Sequence, residues 1–117
     1  MPHPKILCLS YDATVSEYRR EALKKAGYEV VATTDVKEAS RLLEDDKFDL
    51  LILGHRFFAQ QKRDLILQAK KQEMPVLLVC AASTDSDLAV DARVYALQGI
   101  EGLLAGVAEL LSLTTAA

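Results

Sequence analysis

Leu50-Leu51-Ile52-Leu53 is an uninterrupted aliphatic run that stops at Gly54, and comparable runs stand at residues 6–9 and 76–80. A strand with one wet face alternates apolar and polar residues. A strand apolar throughout has no wet face, so each of these segments requires cover on both sides of its sheet. The cover lies between them in sequence. Val15, Tyr18, Ala22 and Ala26 recur at helical spacing after the capping pattern Thr14-Val15-Ser16-Glu17, and Gly27 closes that helix. A short strand at 29–33 follows, and Asp35-Val36-Lys37-Glu38 opens a second helix carrying Val36, Ala39, Leu42 and Leu43. A third helix is expected over 62–72, ended ahead of Pro75.

Beyond residue 80 the pattern predicts a fourth helix over 85–97, capped by Ser83 or Thr84, a short fifth strand at 102–104 and a last helix over 107–113. Five strand–helix units in 117 residues give one α/β domain spanning 1–117. Its sheet is parallel and doubly wound, because right-handed crossovers lay helices on both faces. No stretch reaches the ~18 apolar residues of a membrane span, and the start lacks a basic-then-apolar signal pattern. The expectation is a cytoplasmic protein with reduced cysteines. A net charge of -3 gives no global reason to expect nucleic acid. The aromatic and basic stretch His55-Arg56-Phe57-Phe58-Ala59-Gln60-Gln61-Lys62-Arg63 reads as a loop entering a helix, with Phe57 or Phe58 tucked on the sheet. Residues 9–15, Leu-Ser-Tyr-Asp-Ala-Thr-Val, hold no glycine to cradle a phosphate.

The segments Lys-Ile-Leu-Cys-Leu-Ser (5–10), Lys-Lys-Ala-Gly-Tyr-Glu-Val-Val (24–31), Phe-Asp-Leu-Leu-Ile-Leu (48–53) and Met-Pro-Val-Leu-Leu-Val-Cys-Ala-Ala-Ser (74–83), taken together, resemble the receiver domain of two-component response regulators over nearly the whole chain. The resemblance implies a CheY-like (flavodoxin-like) three-layer sandwich with strand order 2-1-3-4-5. It also implies a site beyond the carboxyl ends of the strands, where family members carry a phosphoacceptor aspartate, an acidic pair for Mg²⁺, a switch hydroxyl and a lysine. Here those places fall on Gly54, on Ser10 and Tyr11, on Cys80 and near Gly106, with Asp12 the one carboxylate nearby. No lysine follows Lys71. Forming an acyl phosphate needs the carboxylate, a divalent cation and a cation to hold the product. The chain therefore reads as a pseudo-receiver with no enzymatic activity, metal or cofactor, acting in phosphorelay signalling by protein–protein contact.

Two other readings stand beside it. One is a small-ligand or thiol-redox sensor in the vacated pocket of Ser10, Tyr11, Gly54 and Cys80. The other is a phosphorelay member using Asp12 or His55. Asp12 reads more simply as the cap of the first helix, His55 as a polar loop residue, and Asp49 as a turn residue at the opposite end of the sheet. In the 2-1-3-4-5 order the strands of Cys8 and Cys80 lie about 10 Å apart, beyond the ~7 Å a disulfide spans. Cys80, at its strand's end, is expected to be the more exposed thiol.

The resemblance also implies a partner face built from the fourth helix, fifth strand and last helix. From Gln72 onward the acidic Glu73, Asp85, Asp87, Asp91, Glu101 and Glu109 meet Arg93 alone, while residues 1–71 carry 13 basic against 11 acidic side chains. The expected fourth helix shows apolar residues on two sides, Leu88, Ala92 and Tyr95 on one and Val90, Val94 and Leu97 on the other. Leu88, Asp91, Val94, Tyr95 and Glu101 are the interaction residues expected, toward a signalling protein or a second copy of the chain.

Overall fold

The computed structural model describes residues 3–81 and 88–115, the last three as backbone only. The apolar runs form the strands. β1 (Lys5–Leu9), β2 (Glu29–Thr33), β3 (Leu50–Leu53), β4 (Val76–Cys80) and β5 (Ala92–Tyr95) make one parallel sheet in the order β2-β1-β3-β4-β5. Among the described residues four α-helices accompany them: α1 (Ala13–Lys25), α2 (Val36–Asp45), α3 (Ala59–Lys71) and α4 (Gly99–Thr115), the last preceded by a 3₁₀ turn at Ala96–Gln98. The register pairs Ile6 with Leu50 and Leu9 with Leu53 across β1 and β3, and Cys80 with Tyr95 across β4 and β5.

Strand alternation sorts the core into two layers. Leu7, Leu9, Leu51, Leu53, Leu78 and Cys80 face α2 and α3, where Ala39, Leu43, Leu65 and Ile66 close over them. Ile6, Cys8, Leu50, Ile52, Leu77 and Val79 face α1 and α4, against Leu23, Leu103 and Val107. All four residues of β3 have no exposed surface, and burying each such side chain contributes about 1.5–3 kcal/mol. Two aspartates fasten the amino ends of the ladders in the same way. Asp49 Oδ2 accepts from the Lys5 amide at 2.8 Å and Asp91 Oδ2 from the Val76 amide at 2.8 Å, while the backbone N–H of each donates to the partner carbonyl. Asp49 thus lies at the end of the sheet away from the candidate site, where it ties the start of β3 to the start of β1 instead of closing the local turn expected.

The structure corrects the expectation beyond β4. The cap expected at Ser83 or Thr84 lies outside the described residues. Residues 92–95 are strand β5, where a helix was expected, and the fifth strand expected at 102–104 lies within α4. β5 is an edge strand in which only Val94 is buried, so its Ala-Arg-Val-Tyr sequence lacks the all-apolar signature of the inner strands. The face of α1 is rotated too. Ser16 and Leu23 are its buried residues, with Arg19 between them, whereas Tyr18 and Ala26 are exposed.

Candidate functional site

The carboxyl ends of β1, β3, β4 and β5 converge on one edge of the sheet. Ser10 and Gly54 each extend the ladder by one residue, the Ser10 amide donating to Thr33 O at 3.1 Å and the Gly54 amide to Leu9 O at 2.9 Å. This edge gathers Ser10, Tyr11, Gly54, Cys80 and Tyr95. It does not gather Gly106, which sits inside α4 where a Cβ would come within 2.8 Å of Val94 Cγ2 and 3.0 Å of Leu77 Cδ1. Gly106 is a close-packing residue between α4 and the sheet. The position that follows β5 is Ala96.

At Gly54 a Cβ would meet Leu9 O at 3.1 Å and Phe57 Cε2 at 3.6 Å. The space that a side chain from the end of β3 would enter is thus bordered by the Phe57 ring, which packs on the α2/α3 layer while Phe58 is exposed. Tyr11 lies outside, 41% exposed, its ring under the Arg56 guanidinium at 4.6 Å and 6.3 Å from the His55 ring. Such a cation–π contact is worth about 0.5–1 kcal/mol in the open. Asp12 caps α1: its Oδ1 accepts from the amides of Thr14 at 2.8 Å and Val15 at 3.1 Å. That carboxylate is engaged at a helix start. Among the described residues no three His, Cys, Asp or Glu side chains are grouped to hold a metal ion.

One residue that the sequence reading passed over enters from α1. Arg19 Nη1 donates to Ser10 Oγ at 3.1 Å, and Ser10 Oγ lies 3.9 Å from Cys8 Sγ. Its signal was an arginine in register with Ser16 and Leu23, on the buried face of α1. Lys62 of α3 is also buried.

Both cysteines are buried, Cys8 at 0% and Cys80 at 1%, so the expected difference in exposure is absent. They face opposite layers of the sheet on strands separated by β3. Burial raises the pKa of the Cys8 thiol, against the opposing pull of the Arg19 charge and a hydrogen bond with Ser10, and a raised pKa leaves little thiolate to react. Under native, non-reducing conditions both thiols should therefore react slowly with Ellman's reagent and fully once unfolded. Rapid native modification of Cys80 would contradict its burial.

The expected partner face is also partly reassigned. Leu88 is buried with the α2/α3 layer and Val94, at 5% exposure, with the α1/α4 layer. Asp91 is held at the start of β4. Tyr95 at 42% and Leu97 at 97% are the large apolar side chains open on this face, with Glu101 beside them in the first turn of α4.

No protein-family model matches the chain, and no curated protein does. Solved structures do, and several of them are described as response regulator receiver domains. A Francisella response regulator receiver domain superposes with TM-score 0.82 at 19% identity, over 97% of this chain and 100% of that one. A CheY-like receiver domain protein from Methanospirillum hungatei gives 0.83 at 19% identity, over 94% of each. The response regulator TrrA from Thermotoga maritima, solved with Mg²⁺ and BeF, gives 0.80 at 25% identity, over 92% and 98%. The fold is that of the receiver domains of two-component systems, and no described helix is long and apolar enough to cross a membrane.

Proposed function

We propose that this chain is a pseudo-receiver, a cytoplasmic signalling domain that works by binding a protein partner and takes no phosphoryl group. The observation that carries this reading is Gly54. It stands at the carboxyl end of the central strand β3 with the Phe57 ring at its side, where the receiver resemblance expects an acceptor carboxylate. Ser10 and Tyr11 offer no carboxylate for a divalent ion, and Asp12 uses its Oδ1 to cap α1. The proposal assigns no catalytic step and no cofactor. Tyr95, Leu97 and Glu101 are its contact residues. The acidic second half of the chain favours a partner with a basic, apolar surface over a symmetric pairing that brings like charges together.

Incubation with acetyl phosphate and Mg²⁺ should leave the intact mass unchanged. A phosphate adduct lost in Asp12→Asn or His55→Gln would overturn the proposal. Gly54→Asp should also remain unlabelled, because one new carboxylate restores neither the metal site nor a lysine. It should lose roughly 1–3 kcal/mol in a urea melt, since the new Cβ crowds Leu9 O. The vacated pocket gains no support as a ligand or thiol-redox site, with Phe57 against Gly54 and Cys80 buried.

A further inference from the structure

On the α1/α4 side of the sheet, next to but separate from the Gly54 edge, a cavity of about 170 Å³ opens between α1, the ends of β4 and β5, and the start of α4. Its wall is largely apolar, with Val15, Val79, Ile100 and Leu103, and it carries the side chains of Tyr18, Tyr95 and Arg19. Arg19 is half-buried, and its one hydrogen bond among the described residues goes to Ser10 Oγ at 3.1 Å. No described carboxylate pairs with it. A guanidinium has five N–H donors in a planar fork suited to a carboxylate, and partial burial of a charge without a counter-ion is unfavourable. Ser10 fixes one corner of that fork and leaves donors over for an anion.

We propose that this cavity binds a small organic carboxylate, its anionic end on Arg19 and its apolar body between Val15, Ile100 and Leu103. The size sets the class. A cavity of about 150 Å³ lined by aliphatic side chains accepts benzene, so this one takes a single ring or a short branched chain. The two tyrosines at its wall add hydroxyl donors and ring faces. Because Tyr95 both lines the cavity and is exposed on the proposed contact face, an occupant would alter the surface that a partner meets.

The test is a titration of the full chain with benzoate, read as amide shifts in ¹H–¹⁵N spectra at Ala96 and Gly99, with benzamide as the neutral counterpart. Benzoate should bind saturably with a dissociation constant on the order of 1 mM, which is what about nine non-hydrogen atoms can supply. Benzamide should bind roughly tenfold or more weakly, and Arg19→Gln should weaken benzoate to the same extent. Val15→Phe, which fills the space and leaves the guanidinium in place, should abolish binding, and this second variant decides the matter if Arg19→Gln fails to fold. No saturable shift with benzoate, equal binding of benzamide, or undiminished binding in Val15→Phe would overturn the proposal.

Discussion

Val94→Glu should abolish the cooperative thermal transition, while Leu97→Glu and Tyr95→Ala should melt within a few degrees of the parent. The three residues lie within four positions of one another, yet Val94 is 5% exposed and Leu97 97%. Val94 packs in the layer of Leu77, Val79, Leu103 and Val107. Glutamate there forfeits about 1.5–3 kcal/mol of apolar burial and sets a carboxylate among aliphatic side chains, at a cost of several kcal/mol more. A domain stable by about 5–15 kcal/mol retains little after that loss. Circular dichroism melts separate the two classes of variant. Light scattering and pull-down with a defined partner then read the contact face in the folded pair alone. A folded Val94→Glu protein would show that β5 is placed wrongly, whereas unchanged association in both surface variants would remove the Tyr95–Leu97 face from the proposal.

Gly106→Lys should be nearly as damaging. A Cβ at this position falls 2.8 Å from Val94 Cγ2 and 3.0 Å from Leu77 Cδ1, and Leu77 belongs to a strand that is buried throughout. Even Gly106→Ala should lose about 1–3 kcal/mol, because Val94, Leu77 or α4 itself must shift to admit one carbon. That figure stands although alanine is the better helix former by about 1 kcal/mol. Lysine adds an ammonium that must reach solvent through the same gap. Urea denaturation gives the comparison, and an alanine variant more stable than the parent would mean that the α4 packing is looser than described. One practical corollary concerns rebuilding a phosphorylation site: a lysine belongs at Ala96, directly after β5, and not within the helix.

Strands β1, β3 and β4 were legible in the sequence because burial on both faces leaves residues 6–9, 50–53 and 76–80 without a charged position. α2 was legible because Val36, Ala39, Leu42 and Leu43 keep one face. β5 was hidden by its place at the sheet's edge, where Val94 alone is fully buried, Ala92 is partly covered and Arg93 and Tyr95 are exposed. The same four residues fit a helical pattern equally well. α4 is apolar on more than one side, so its Gly102-Leu103-Leu104 segment looked like a buried strand. Misplacing β5 then carried the expected lysine position to Gly106 and turned Leu88 and Val94 into surface residues. Ser10, Gly54 and Cys80 were legible as strand-end residues because they terminate strands that could be read. Arg19 was not found: charges on an amphipathic helix are ordinarily assigned to solvent, and only the true rotation of α1 brings this one to Ser10.

The absence of a side chain at Gly54 has a consequence in time as well as in chemistry. An acyl phosphate hydrolyses spontaneously, so a domain that carries one holds its signal for a period set by its own covalent bond. On the pseudo-receiver proposal, a glycine beside Phe57 offers nothing to form or to hydrolyse, and such a domain would have no internal clock. How long a domain of that kind acts would be fixed by how quickly its complexes dissociate and how quickly the chain is made and removed, so the proposal implies an output that follows abundance rather than modification.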